Sequence, residues 1–528
     1  MKLFYYRSTP LFIGLWLVCM GLLHREVTSQ SFLAKDALID INDGALIMRQ
    51  DYLGLYLANK KVGYSRFVLK EDNEESIVQQ PGKHLLFQSD MYIQIEAMGM
   101  PVTIKMRQMG EVNEDLTMRA FNFSYEASGQ TLSRLIIAEK DGLHITTKSG
   151  QSSTEEIIPS ASPVYNMEMI HLLLARQGLE TGRQNVFPVF DPTLMSLVTV
   201  NTTVEERETL TLPSGEKVET FKIDTNLKGL RSTSWIDANG NVYKEVSPVA
   251  GITFTALRES KEDAVNMDFV PEEIQNQPPV DAGRDLIMAS RILIEPPITS
   301  PEDVRFMKFK LSGATRDEIP LDDGFQTFLR EENGALILQT RSLDYAAVRA
   351  AAAPEKPPYA NPADAALEPY LKPDSLVQSE DSRIREKALE ITRQAATRWE
   401  AAEAIATWLY TEIKKEIRVT IPSALEILSS MKGDCNEHST LFTALARSIG
   451  IPTKICAGLV FQDDGFYYHA WNEVFIGGQW YPIDSTLNRI EMDAAHIKLA
   501  EGSLEAQTDI VGMIGTLKVE ILDLEYKE

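Results

Sequence analysis

Cysteine is scarce in this chain: 528 residues hold three, and Cys19 lies in an apolar N-terminal stretch, leaving Cys435 and Cys456 in the body. Two thiols cannot make a disulfide framework, so the stability of a secreted body must come from large cores. The sequence has no CxxC pair, HExxH motif, Walker loop or dinucleotide glycine fingerprint, so the usual signals for zinc, phosphate and dinucleotide sites are missing. Neither a cofactor nor a metal is called for. Positive charge is also short, with 52 Lys and Arg against 76 Asp and Glu and a net charge of −24. That balance argues against a nucleic-acid or anionic-membrane footprint. The longest apolar run, Pro10 to Leu23, falls short of the roughly 20 residues of a membrane span.

With 44% hydrophobic residues the chain is not disordered throughout, and its length allows three or so domains. Lys2 and Arg7 before the apolar run give the pattern of a secretory signal. Val27 and Ser29 suit the small positions before a cleavage site after Ser29. An uncleaved anchor starting near Leu3 is the alternative. Cys19 makes no lipobox, and either reading places the body outside the cytoplasm.

From about Asp51 to Glu259, strand-like runs alternate with short turns, among them Tyr52 to Ala58, Tyr64 to Lys70, Leu135 to Glu139 and Val218 to Asp224. This predicts an antiparallel meander interrupted by one helix around Tyr165 to Gln177. Asp237-Ala238-Asn239-Gly240 has the look of a calcium loop, but its flanks alternate like strands and a hairpin turn is the better reading. The expected division is a signal or anchor over 1–29, a β-rich domain over 30–275, a small β-rich domain over 276–345, an Ala/Pro-rich linker or strap over 346–373, and an α+β domain over 374–528. In that last domain Ile384, Ala388 and Ile391 share a helix face, as do Ile405, Leu409, Ile413 and Ile417, and Ser423 with Glu426 makes a capping box.

The chemistry is concentrated in Gly433-Asp434-Cys435-Asn436-Glu437-His438-Ser439, in His469-Ala470-Trp471, 34 residues beyond the cysteine, and in Asp484, 15 further on. These supply a thiol, an imidazole and a carboxylate, the set that nucleophilic cysteine chemistry needs. Asp434 as N-cap and Glu437 three later put Cys435 in the first turn of a helix ending before Gly450 and Pro452. There the positive end of the helix dipole favours the thiolate. Gly477-Gly478 separates two strand-like runs; an even-length loop puts Trp471 opposite Asp484 and makes His469 the diagonal neighbour of Asp484. An odd-length loop sends them to opposite faces. His438, one turn after Cys435, is a rival base, though its place on the same helix favours a structural role. Cys456 reads as a buried, inert thiol, and Trp471 as core packing or a wall of the groove.

The run from Ser423 to about Glu501, with GDCNEHSTLFTALARSIGIPTKICAGLVF and YYHAWNEVFIGGQWYPIDST, resembles the transglutaminase-like superfamily of papain-related enzymes. Ala495-His496-Ile497-Lys498-Leu499 resembles secreted bacterial members, with no chemistry attached to it. The resemblance implies a Cys-bearing helix against an antiparallel sheet, with Cys435 as nucleophile, His469 as base and acid, and Asp484 orienting the imidazole. It further implies an exported enzyme that cleaves or transfers amide acyl groups through a Cys thioester, hydrolysis favoured, on a peptide or protein such as an envelope protein or peptidoglycan peptide. A cross-linking transglutaminase or a non-catalytic envelope scaffold are the alternatives.

Overall fold

The computed structural model describes residues 47–527 apart from 73–82, 98–99, 128, 150–151, 161–162, 194, 228, 250–251, 277–289, 321–322, 352–353, 417–422, 503–509 and 511–512. The expected signal or anchor and Ile417 lie outside the described residues. None of the described helices is long and apolar enough to cross a membrane, which says nothing of a strand-built span. The chain divides into two compact bodies at Ala289/Ser290.

The first body is a 14-stranded antiparallel sheet. Its first eight strands, from Ile47–Leu57 to Ser152–Pro159, each pair with their neighbour in sequence, and so do its last six, from Gln184–Asp191 to Ile252–Arg258. The first and last strands join the two halves, with Leu55 opposite Ala256. Alternation builds these strands: Ser196–Thr211 buries every second residue over its first half. The Asp237 turn is a hairpin, its carboxylate accepting from the amides of Asn239 and Asn241. The interrupting helix is Ile170–Gln177, preceded by a 3₁₀ turn that the Asn166 side chain caps.

The second body has its central sheet in the order Ile292–Leu293, Gly465–Ile476, Thr453–Gln462, His496–Gly502, with Gln479–Ile483 also paired to Gly465–Ile476. The helices Ser382–Ile391, Arg398–Glu412, Ala424–Ser430 and Cys435–Ser448 pack with it around one apolar core that includes Trp399, Phe442, Leu445, Trp471 and Ile483. The Arg398 helix is shorter than its periodicity predicts. Ile413 turns extended at φ −72°, ψ 117° and leads into a two-residue strand.

Two expected segments turn out to be joined to this body. The strands Val304–Ser312, Gln326–Glu332 and Ala335–Arg341 form a sheet completed by Lys518–Tyr526 from the end of the chain. Gln326 exchanges hydrogen bonds with the Lys498 backbone, and Thr340 donates to the Ala494 carbonyl. The 276–345 region therefore does not close its own sheet, because the edge of Val304–Ser312 is covered only by the C-terminal strand. The Ala/Pro-rich segment over 346–373 is a packed strap: Val348, Tyr359 and Leu367 are buried, and the Tyr359 hydroxyl donates to the Thr397 carbonyl. Its few large side chains are enough to pin it.

Candidate active site

Cys435 is the first residue of a 14-residue helix whose capping box is complete. The Asn436 amide donates to Asp434 at 3.1 Å and the Asp434 amide to Glu437 at 2.9 Å. The sequence periodicity predicts one buried stripe, but all residues from Cys435 to Ala446 are buried, including Asn436, Glu437, His438, Ser439, Thr440 and Thr443. Several of these polar groups have partners, while Ser439 Oγ and His438 Nε2 make no hydrogen bond. The Asn472 amide group donates to the Ser439 carbonyl at 3.1 Å and to Thr443 Oγ1 at 2.8 Å, tying the second turn to the strand that carries His469.

His469 and Asp484 meet through hairpin register. Ile476 pairs with Gln479 and Asn472 with Ile483, so one further step sets Trp471 opposite Asp484 and makes His469 its diagonal neighbour. The even two-residue loop is possible because Gly477 and Gly478 both take positive φ, +64° and +90°. His469 Nε2 donates to Asp484 Oδ2 at 2.8 Å, with both side chains fully buried. The other carboxylate oxygen accepts from the amides of Thr486 at 2.7 Å and Leu487 at 3.1 Å. Burial alone would push the Asp484 carboxyl up, but His469 and His496 beside it hold it well below the usual carboxylate range. Nε2 must then carry the proton, since an ionised carboxylate only accepts. His469 Nδ1 is buried and makes no hydrogen bond.

The rival base is also located. His438 Nδ1 donates to the Asp434 carbonyl at 2.6 Å, within its own helix. Burial pulls it down to about 4, with Lys415 and His469 acting the same way and the Asp434 carbonyl and Asp484 opposing. A group that weakly basic is poorly matched to proton transfer near neutrality. Cys456 is fully buried, with burial and then Glu473 raising its thiol well above the ordinary value, as fits an inert cysteine.

The parts played by His496, Gly458 and Lys415 escape the sequence reading. His496 Nδ1 donates to Asp493 Oδ1 at 3.0 Å, and its Nε2 lies 3.6 Å from Asp484 Oδ2. Burial pulls His496 down, but Asp493 and Asp484 outweigh it and lift it to about 9. Trp471 packs beside both histidines, stacked on His469 at 6.3 Å and edge-on to His496 at 5.4 Å. Gly458 makes room for it: a Cβ there would sit 2.8 Å from the Trp471 ring and 2.0 Å from the Ile497 carbonyl. A signal for His496 does exist in the sequence, since His496 and Lys498 alternate with Ile497 and Leu499 and so share one face of a strand. Lys415 comes in because Lys414–Lys415 pairs in parallel with Lys432–Gly433, just before the cysteine helix. Burial lowers Lys415 to about 8, against the pull of Asp484.

His469, Asp484 and His496 place metal-capable atoms within 4.8 Å of one another. Here His469 Nε2 donates its proton to Asp484, a bond that a metal held by these two atoms would have to replace.

Residues 385–485 match the Transglutaminase-like superfamily. The C-terminal body therefore contains a transglutaminase-like domain, and the match supports a cysteine enzyme of that kind. Human kyphoscoliosis peptidase is 26% identical over 122 residues, 20% of this chain and 18% of that protein, so the chain spans less than a fifth of this relative's length. A cysteine-protease candidate from Cytophaga hutchinsonii is 18% identical, covering 43% of this chain and 87% of that one at a TM-score of 0.29. A β-barrel-like protein from Brucella abortus is 9% identical, covering 40% and 98%, also at 0.29. TM-scores this low define no shared overall fold.

Proposed function

We propose that the C-terminal body is a cysteine amide hydrolase in which Cys435 is the nucleophile, His469 the base and acid, and Asp484 the residue that holds the imidazole. The observation that carries this reading is the fully buried His469–Asp484 bond at 2.8 Å, which spends Nε2 and leaves Nδ1 without a partner. In the reaction Nδ1 takes the Cys435 proton and the thiolate attacks the amide carbonyl carbon. The imidazolium returns the proton to the departing amine as the C–N bond breaks, leaving an acyl thioester. Water then attacks the thioester, His469 accepting its proton, and the acid leaves as the thiol is restored. The positive end of the cysteine helix favours both the thiolate and the oxyanion.

Hydrolysis is favoured over transfer to an amine, and the relative named a peptidase points the same way. The substrate class is a peptide or protein of the cell envelope, and the body acts outside the cytoplasm behind the N-terminal signal or anchor. N-terminal sequencing of the mature protein tests the location: new chain starts near residue 30 are expected from cleavage, and membrane-free protein retaining Met1 contradicts both signal and anchor. For the chemistry, wild type and Cys435→Ala are incubated with an envelope extract and a labelled primary amine. New peptide termini that need Cys435 are expected. Amine incorporation instead would mean transfer, and neither outcome would mean a scaffold.

A further inference from the structure

Asp484 serves two histidines through one oxygen. Oδ1 is filled by the amides of Thr486 and Leu487, so the carboxylate is already oriented by backbone. Oδ2 takes the proton of His469 Nε2 at 2.8 Å and lies 3.6 Å from His496 Nε2, which is buried and has no hydrogen bond. His496 is held from its other nitrogen by Asp493, and the Ala495 amide donates to the same Asp493 oxygen at 3.0 Å. The His469 and His496 ring centres are 6.1 Å apart. Along this line of contacts acidic and basic groups alternate: Asp493, His496, Asp484, His469.

We propose that His496 is a positioning residue that acts through Asp484, sharing the charge of Oδ2 with His469 and so setting how tightly Asp484 holds the proton on His469. The idea rests on the proposed roles of Cys435, His469 and Asp484. A carboxylate buried beside an imidazole favours the imidazolium form. A second cation on the same oxygen weakens that hold. The groups facing His496 are Asp493 on its own segment, Asp484 from the turn after the Gln479–Ile483 strand, and His469 from the Gly465–Ile476 strand, one strand removed across Thr453–Gln462. Beyond them, Arg489 lies 3.2 Å from Asp493, and Lys415 acts on Asp484. His496 is lifted to about 9, which keeps it charged near neutrality.

The test is a histidine-labelled NMR titration of the full chain, with the His469 ring assigned by its loss in His469→Asn. In His496→Gln, removal of the second cation should raise the pH at which His469 loses its proton by about one unit. Asp493→Asn keeps the ring in place but takes away the carboxylate that keeps it charged, and should shift His469 in the same direction. If His496→Gln does not fold, Asp493→Asn decides. A role in packing alone would lower the melting temperature and leave the His469 titration where it was, and that result overturns the proposal. The underlying reading has its own control. If Cys435→Ala leaves the His469 titration of otherwise wild-type protein unchanged, thiol and imidazole are not coupled, and the cysteine-enzyme reading fails whatever His496 does.

Discussion

On the helix side of the site His438 is buried with one nitrogen on a backbone carbonyl and no carboxylate in contact, and it falls to about 4. On the sheet side His496 is buried to the same degree, but Asp493 and Asp484 flank it and it rises to about 9. Two side chains of one type, equally removed from water, are thus pushed in opposite directions, His438 toward the neutral form and His496 toward the cation. Burial by itself makes an imidazole neutral, and a flanking carboxylate makes it a fixed cation. His469 differs from both in its contacts, with a carboxylate on one nitrogen and no hydrogen bond on the other.

The largest effect expected is from Cys435→Ala, which should abolish covalent chemistry while leaving Cys456 intact; trapping of an acyl-enzyme by mass spectrometry checks it, and acylation surviving in the variant would move the nucleophile elsewhere. Asp484→Asn comes next. It keeps the size of the side chain but cannot hold the Nε2–H tautomer with a charge, so turnover should fall by roughly 10³- to 10⁴-fold by analogy with serine triads. A drop smaller than tenfold would put His496 or Asp493 ahead of Asp484.

The helix side and the sheet side should also part in how stability depends on pH. His438 is lower folded than unfolded, so its contribution is complete above about 6.5 and is lost as pH falls toward about 4. His496 is higher folded than unfolded, so its contribution is complete below about 6.5 and is lost as pH rises through about 9. Each shift of this size is on the order of 3 kcal/mol. Denaturant unfolding of the C-terminal body should therefore lose its acid slope between pH 4 and 6.5 in His438→Gln and its alkaline slope in His496→Gln. The same slope lost in both variants would erase the contrast. The smallest effect belongs to the hairpin. Gly478→Ala meets no neighbour within 4 Å but must adopt φ +90°, and should cost about 1 kcal/mol with the His469–Asp484 register kept.

Much of this site was legible because its determinants are local. The capping box fixes where the cysteine helix starts, and two adjacent glycines mark the hairpin turn, whereas the even loop that sets His469 diagonal to Asp484 is seen only in the register. The meander of the first body was legible for the same reason, each strand within a half pairing with its neighbour in sequence. What stayed hidden depends on distant pairing. The C-terminal strand Lys518–Tyr526 completes a sheet begun near residue 304, and nothing in either segment names the other. Lys415 reaches the cysteine helix through a two-residue parallel bridge too short to leave a pattern. His496 was hidden differently. Its alternation with Ile497 marks a buried polar face, but the partner that gives it meaning, Asp484, lies 12 residues back across a turn.

The most direct measurement is a pH titration of thiolate ultraviolet absorbance, taken as wild type minus Cys435→Ala and repeated in the His469→Ala background. It needs no reagent to reach the buried sulfur. Coupling between Cys435 and His469 predicts thiolate present well below the ordinary thiol value of about 8.5, and its loss at low pH when His469 is removed. A thiolate that appears only near the ordinary value, alike with and without His469, would contradict the account.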